Sequence, residues 1–275
     1  MIRPSNKKKA TGFRDYNELE NAKLILSYGP EVYEYSRQIE DSLFKTNIEN
    51  GLFNILANHD ISAKIRTKLV DWLLEVFYAY KCDENTIYLT LTLMDGFIFK
   101  AKHLNNSDLH LLGITCLYIS SKFEDLYPLD LNTVKGRIAH NKFSEKEIKD
   151  KEKQILCLLE FKLIHATMLD FIRNFIYDFT FNNRSVISKI NTNDEIKILE
   201  TTAIYISKIL FHSHEFSHYK NSLKAICCIV CAFDLVRANV KNFNKDMEVF
   251  TNEWIKFLVE QSRYEPDQIM DLYEK

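Results

Sequence analysis

Glycine and proline are scarce, at 6 and 4 residues in a chain of 275. Sandwiches and barrels need a turn roughly every 8–12 residues and draw on these two residue types. Their scarcity, beside abundant Leu, Ile, Lys and Glu, predicts an all-α chain. An excess of either charge is also lacking: 36 basic residues face 38 acidic ones, for a net charge of -2. Nucleic-acid binders carry a basic stripe, so this balance argues against a nucleic-acid partner. The longest uninterrupted apolar run, Ala225 to Phe233, falls well short of the ~20 residues that span a bilayer. The N-terminus shows no apolar signal region, so neither a membrane nor an export route is expected. The six cysteines (Cys82, Cys116, Cys157, Cys227, Cys228, Cys231) lie within apolar helical stretches rather than at turns. They read as reduced thiols, with an intracellular home.

What is present is a large apolar complement, 46% hydrophobic and 13% aromatic, too high for a disordered chain. The length suggests about two domains. Residues 1–27 form a polar tail carrying Lys7, Lys8 and Lys9, read as disordered, with a short import signal as the alternative. Residues 28–45, after Gly29-Pro30, space Val32, Tyr35, Ile39 and Leu43 as a surface helix. Ile48 to Ile61 reads as a linker. Ser62 then opens a helix to about Tyr80, with a stripe of Ile65, Leu69, Trp72, Leu73, Val76 and Phe77. Asp83 opens a second through Phe97-Ile98, and Asn106/Ser107 open a third, Leu109 to Ser121. The third is apolar on nearly every face, so other helices must surround it. A short helix near Leu131–Ile138 and a fifth from Ser144 complete a five-helix unit over 46–163. Residues 164–275 repeat the plan, with helices at 167–180, 194–211, 221–238 and 246–262 and one after Pro266. The stretch Ser222 to Val236 is its all-apolar central helix.

Charges inside apolar helices carry the next inference. Asp95 lies mid-helix between Met94 and Phe97-Ile98. A lone buried carboxylate is costly, so a cationic partner is expected, and Arg66 is the candidate. Such a pair fixes helix register. Lys122 and Glu152, by spacing alone, read as parts of solvated faces.

The blocks Ile65-Arg66-Thr67-Lys68-Leu69-Val70-Asp71-Trp72-Leu73-Leu74-Glu75-Val76, Tyr88 to Phe97, Leu109-His110-Leu111-Leu112-Gly113 and Ser121-Lys122-Phe123-Glu124-Asp125-Leu126-Tyr127-Pro128 resemble the cyclin box. Glu152 with Ile155 to Leu163 completes the set. His218 to Ala225 resembles the second cyclin fold, giving coverage of about residues 28 to 265. The Ser-Lys-Phe-Glu-Asp and Tyr-Pro text is closest to A- and B-type cell-cycle cyclins. The resemblance implies two tandem cyclin-box domains, no catalytic residues and no cofactor. It implies a regulatory subunit that binds and activates a cyclin-dependent protein kinase, in nucleus and cytoplasm. The family's five signature positions are Arg66, Asp95, Leu111, Lys122 and Glu152. By that resemblance Arg66 and Asp95 form the internal ion pair. Lys122 and Glu152 bind backbone groups beside the kinase's mobile regulatory helix. Phe123, Leu156, Phe161 and Leu163 add the apolar part of that face, with Tyr28, Val32 and Tyr35 from the preceding helix.

A substrate-docking patch maps by resemblance to Ile65, Leu69, Trp72, Glu75, Leu109 and His110. Here Lys68 replaces an apolar residue and His110 a glutamine, and a lysine repels part of a basic, leucine-bearing motif. Gly96 stands where a basic residue usually follows Asp95. The Arg-x-x-Leu match at Arg66 to Leu69 falls inside the box helix, so it does not read as a destruction motif. Rival readings are a cyclin-fold transcription adaptor and a scaffold that binds a kinase without activating it. His214, His218 and Cys228-x-x-Cys231 are zinc-type ligands, but thiols on an all-apolar helix pack as small hydrophobes, so no metal is expected. No Gly-rich phosphate loop or nucleophile elbow is present.

Overall fold

A computed structural model describes residues 31–42, 54–182, 193–239, 254, 256–260 and 262–274. Tyr28, Lys7 to Lys9, Leu43 and most of the linker from Ile48 lie outside the described residues, as does 246–253. Among the described residues the chain is helical, without a strand beyond one isolated bridge, Asp60 to Asn105. Helix α1 covers 31–42. The first unit follows as α2 (Ala63–Tyr80), α3 (Glu84–Lys100), α4 (Asp108–Glu124), a π-helical turn (Thr133–Ile138) and α5 (Glu145–Leu158). The second comprises α6 (Met168–Asn182), α7 (Asn193–Leu210), a 3-10 turn (His214–His218), α8 (Asn221–Asn239) and α9 (Pro266–Tyr273), with further helix at 256–260.

Local chemistry explains the boundaries. Asp83 caps α3 by accepting from the Asn85 amide at 2.9 Å. Ser144 and Glu147 form a reciprocal capping box on α5, as the Ser-x-x-Glu spacing suggests. Ser62 holds the N-cap position of α2, but its side chain makes no cap bond. Its amide instead donates to Asn106 Oδ1 at 2.9 Å, tying the start of α2 to the loop before α4. Lys81 ends α2 in the left-handed region at φ 54°, where glycine would be the unstrained choice.

The all-apolar helices are the cores of their units. In α4, Leu109, Leu112, Ile114, Cys116, Leu117 and Ile119 are buried. Gly113 lets α2 approach closely, since a Cβ there would meet the Leu69 side chain at 3.2 Å. In α8, Ala225, Ile226, Cys228, Ile229 and Ala232 are buried. All six cysteines are free thiols, and burial pushes Cys227 up to about 12.

The two units meet along a polar seam. Lys208 of α7 donates to Glu84 Oε1 at 3.0 Å and Tyr78 Oη at 2.9 Å. Thr67 Oγ1 donates to the His212 carbonyl at 2.9 Å, and His212 Nε2 lies 2.7 Å from Asp71 Oδ1. Tyr88 and Ser207 share a hydroxyl hydrogen bond in the buried part of the seam. Helix α1 packs on the second unit. Tyr33 sets its ring edge-on against Phe171 and Phe175. Glu40 accepts from the Ser222 amide at 2.8 Å, while Arg37 donates to Ser222 Oγ at 2.8 Å.

Candidate partner-binding site

Arg66 and Asp95 meet as expected from their apolar settings. Arg66 is 1% exposed. Its Nη2 lies 2.9 and 2.8 Å from the two Asp95 oxygens, and Nε lies 3.2 Å from Oδ1. The remaining Nη1 donates to the Phe211 carbonyl at 2.8 Å. The guanidinium therefore ties α2 and α3 together and fastens both to the end of α7. Tying this seam together is a structural role, shared with the Lys208–Glu84 and Thr67–His212 bonds.

Lys122 and Glu152 do not sit on separate solvated faces. The end of α4 and the middle of α5 bring them together as an ion pair, 38% and 18% exposed. Below the pair, the Lys122 ammonium lies 4.1 Å from the Tyr118 ring centroid, a cation–π contact the spacing of α4 supplies. Phe123 follows Lys122 and is 49% exposed. Leu126 and Tyr127 beyond it are 86% and 88% exposed, at the foot of a loop that Asp125 anchors. Asp125 Oδ1 accepts from the Asp83 amide and from Thr86 Oγ1 at 2.8 Å, which pins this loop to the start of α3. Asp125 also neighbours the Cys82 thiol, which burial first and this carboxylate second push up to about 12.

Leu156 lies one turn beyond Glu152 on α5 and is partly buried. The Leu156 carbonyl accepts from the Phe161 amide at 2.8 Å. Two successive residues, Glu160 and Phe161, take φ values of 56°, a left-handed pair that costs about 1–3 kcal/mol per residue. Lys162 and Lys100 hold Glu160 at 2.7 and 3.4 Å. The result is Phe161 at 66% and Ile164 at 64% exposure, with Leu163 partly buried behind them. Lys122, Glu152, Leu156 and Phe161 thus form a continuous strip. A concentration of exposed aromatic and branched residues around one ion pair has the composition of a protein-binding face. On α1, Val32 and Tyr35 are 52% and 57% exposed. Glu40, at the other end of α1, lines the same cleft as Leu159 and Lys162, so the helix borders the strip's end. Sequence reasoning missed Tyr118, Asp125 and the Glu160-Phe161 turn, which nothing in the linear spacing signals.

The docking-patch residues also gather. Leu69 and Leu109 are buried, Ile65 is 39% exposed, and Lys68 and Glu75 are exposed. Trp72 packs edge-on against His110 at 5.1 Å, and His110 against Phe143 at 5.4 Å. Lys142 donates to His110 Nδ1 at 3.1 Å. The zinc-type ligands fall on different elements, His214 and His218 on the 3-10 turn and Cys228 and Cys231 within α8.

Comparison with known proteins places the whole chain rather than the site. The cyclin N-terminal domain matches residues 31–164 and the cyclin C-terminal domain residues 166–275. Cyclin-A3-2 of Arabidopsis thaliana is 27% identical over 82% of this chain and 57% of its own length. A G2/mitotic-specific cyclin-B of Spisula solidissima is 32% identical over 58% of this chain and 35% of its own length. That of Patella vulgata is 23% identical over 95% and 55%. The chain spans about half the length, or less, of these curated relatives. The X-ray structure of a viral cyclin from herpesvirus saimiri shares the fold, with a TM-score of 0.54 at 15% identity, covering 82% of this chain and 96% of the viral one. Two tandem helical units with buried central helices, matched over residues 31–164 and 166–275 by the two cyclin domains, make this chain a member of the cyclin family.

Proposed function

We propose that this chain is the regulatory subunit of a cyclin-dependent protein kinase and controls cell-cycle progression by activating it. The observation that carries the reading is the Lys122–Glu152 pair at the centre of an exposed apolar strip. The pair offers a cation and a carboxylate side by side, suited to a carbonyl and an amide at a partner helix end. Phe123, Phe161 and the half-buried Leu156 and Leu163 supply the area that a partner desolvates. Val32 and Tyr35 extend that area from α1. Held against this face, the partner's regulatory helix keeps the kinase's own Lys–Glu pair and magnesium site assembled. The phosphoryl transfer is the kinase's chemistry, and this chain contributes position.

Substrate docking at Ile65, Leu69, Trp72, Glu75, Leu109 and His110 belongs to the same proposal in weakened form. Lys68 at its rim and His110 packed on Trp72 narrow the range of ligands, so the patch favours motifs with fewer basic residues.

The test is phosphorylation of a generic substrate by a cyclin-dependent kinase catalytic subunit, with and without this chain. Lys122→Ala/Glu152→Ala is run in parallel, its fold checked by circular dichroism. Truncating desolvated interfacial charges costs about 2–5 kcal/mol. Activation by the wild type that a folded double variant loses supports the reading. A stable but inactive complex would convert the reading to a scaffold.

A further inference from the structure

A cleft of about 230 Å³ lies between the two units, where α3, the connection 159–168, the 3-10 turn and the start of α8 converge. Leu91, Phe99, Leu159, Met168, Phe211 and Phe216 supply its apolar walls. At its α8 side stands Lys224, a lysine in a helix whose neighbours Leu223, Ala225 and Ile226 are buried. Every other charge in the cleft is committed. Asp95 is taken by Arg66, and Glu40 by Ser222. Lys100 and Lys162 share Glu160, and Lys220 pairs with Asp41 at 2.7 Å. The Lys224 ammonium makes no hydrogen bond or ion pair of its own among the described residues. Burial holds its pKa below the ordinary value, although the more distant Asp95 and Glu40 pull the other way. A half-buried ammonium that faces an apolar cleft without a direct partner is poorly solvated, and an arriving anion would offset that loss.

Gly96 explains why there is room. It lines the same cleft one position after Asp95. A Cβ there would meet only Leu159 Cδ2 at an ordinary 3.5 Å, so any larger side chain would extend into the open space. The cleft therefore exists because α3 carries glycine at this point, and it is headed by a cation because α8 carries lysine where its neighbours are apolar. Size selects the occupant. An apolar cavity of about 150 Å³ accommodates benzene, so this space takes one aromatic ring and a small charged head.

We propose that this cleft, opened by Gly96 and headed by Lys224, binds a small aromatic anion, a carboxylate or a phosphate monoester. The ring packs among Phe99, Leu159 and Phe211, and the head accepts from Lys224 Nζ. Because the cleft contacts both units and the Arg66–Asp95 pair, the ligand bridges them. The cleft adjoins the far end of the strip through Leu159 and Lys162, and the Lys122–Glu152 pair is not part of its lining.

The experiment is calorimetric titration of the full chain with phenyl phosphate and with 3-phenylpropanoate. Inorganic phosphate and benzyl alcohol are the controls for head and ring alone. Wild type is compared with Lys224→Met and with Gly96→Leu. The second variant fills the cleft without touching the cation, and replacing a helical glycine by leucine favours α3. Saturable binding of either aryl anion, weakened about tenfold or more by each variant and by removing ring or head, is the expected result. No saturation below about 10 mM, or equal affinity in Gly96→Leu, overturns the site. Equal binding of inorganic phosphate and phenyl phosphate also overturns it, since the ring would then contribute nothing.

Discussion

Arg66 shows how a single residue's surroundings fix its role. Its guanidinium is buried, uses Asp95 twice, and spends its remaining nitrogen on the Phe211 carbonyl. Removing it strands a carboxylate and a carbonyl, so Arg66→Met should destabilise the chain by about 3–5 kcal/mol in urea unfolding. Adding Asp95→Leu should recover much of that loss, because the uncompensated charge is gone. A single-variant loss under about 1 kcal/mol would contradict the pairing. His110 makes a prediction in pH. Burial, then Lys142, then His140 hold its imidazole below the usual value. The folded state therefore binds that proton less readily than the unfolded chain. Its contribution to stability is present above about pH 6.5 and is lost as pH falls through the depressed folded value. Thermal unfolding between about pH 7.5 and 5 should show this decline, and His110→Gln should flatten it. An unchanged slope in the variant would assign the decline to other groups.

At this scale, legibility depended on contrast with the surrounding sequence. Asp95 stood out because an acid between Met94 and Phe97 needs an explanation, and Arg66 on the preceding helix was the obvious cationic candidate. Glu152 lies in a stretch of charges, Lys146 to Lys153, where one more acid carries no signal. Its partnership with Lys122, 30 residues away, came into view through family resemblance and then through the packing of α4 on α5. Asp125 was quoted only as part of a motif, yet its carboxylate caps the turn into α3.

Among the elements, the helices themselves were readable because scarce glycine and proline left few places to stop. α4 and α8 announced themselves as cores by having no polar face. The segment after Pro128 read as a short helix, and the structure makes residues 133–138 π-helical, a distinction of hydrogen-bond register that sequence periodicity of one and a half turns does not resolve. Helix α1 was legible as amphipathic, but its partner was not. It packs on the second unit through Tyr33, Arg37 and Glu40. Ser222 is the hinge of that attachment, since it meets Glu40 through both amide and hydroxyl and also accepts from Arg37. Ser222→Val should cost about 1–3 kcal/mol by leaving buried polar partners unmet. Hydrogen exchange should then speed up across 31–42 before it does so in α4. Uniform exchange in wild type and variant would mean that other contacts hold α1.

At the scale of the whole molecule, two cyclin units share a seam of specific polar bonds, from Arg66 to Phe211, Thr67 to His212, and Lys208 to Glu84. Such a seam fixes orientation more than it adds stability, and a fixed orientation is what the proposed partner-binding surface needs. The strip around Lys122 and Glu152 is on the first unit, while α1 is carried by the second. Their relative placement therefore rests on that seam. The strained turn at Glu160-Phe161 sits between them and presents its aromatic ring outward. A rigid two-unit body that positions a partner's helix, and contributes no reacting group, is the account offered for this chain.

Its most direct test is the dissociation constant between this chain and a cyclin-dependent kinase catalytic subunit, measured for wild type, Lys122→Ala, Glu152→Ala and the double variant. The account predicts tight binding by the wild type and a loss of about 2–5 kcal/mol in the single variants. It also predicts a double variant that loses much less than the sum, because the two side chains act as one unit. Wild-type affinity retained in all three variants would mean that the partner docks elsewhere and that this face has been misread.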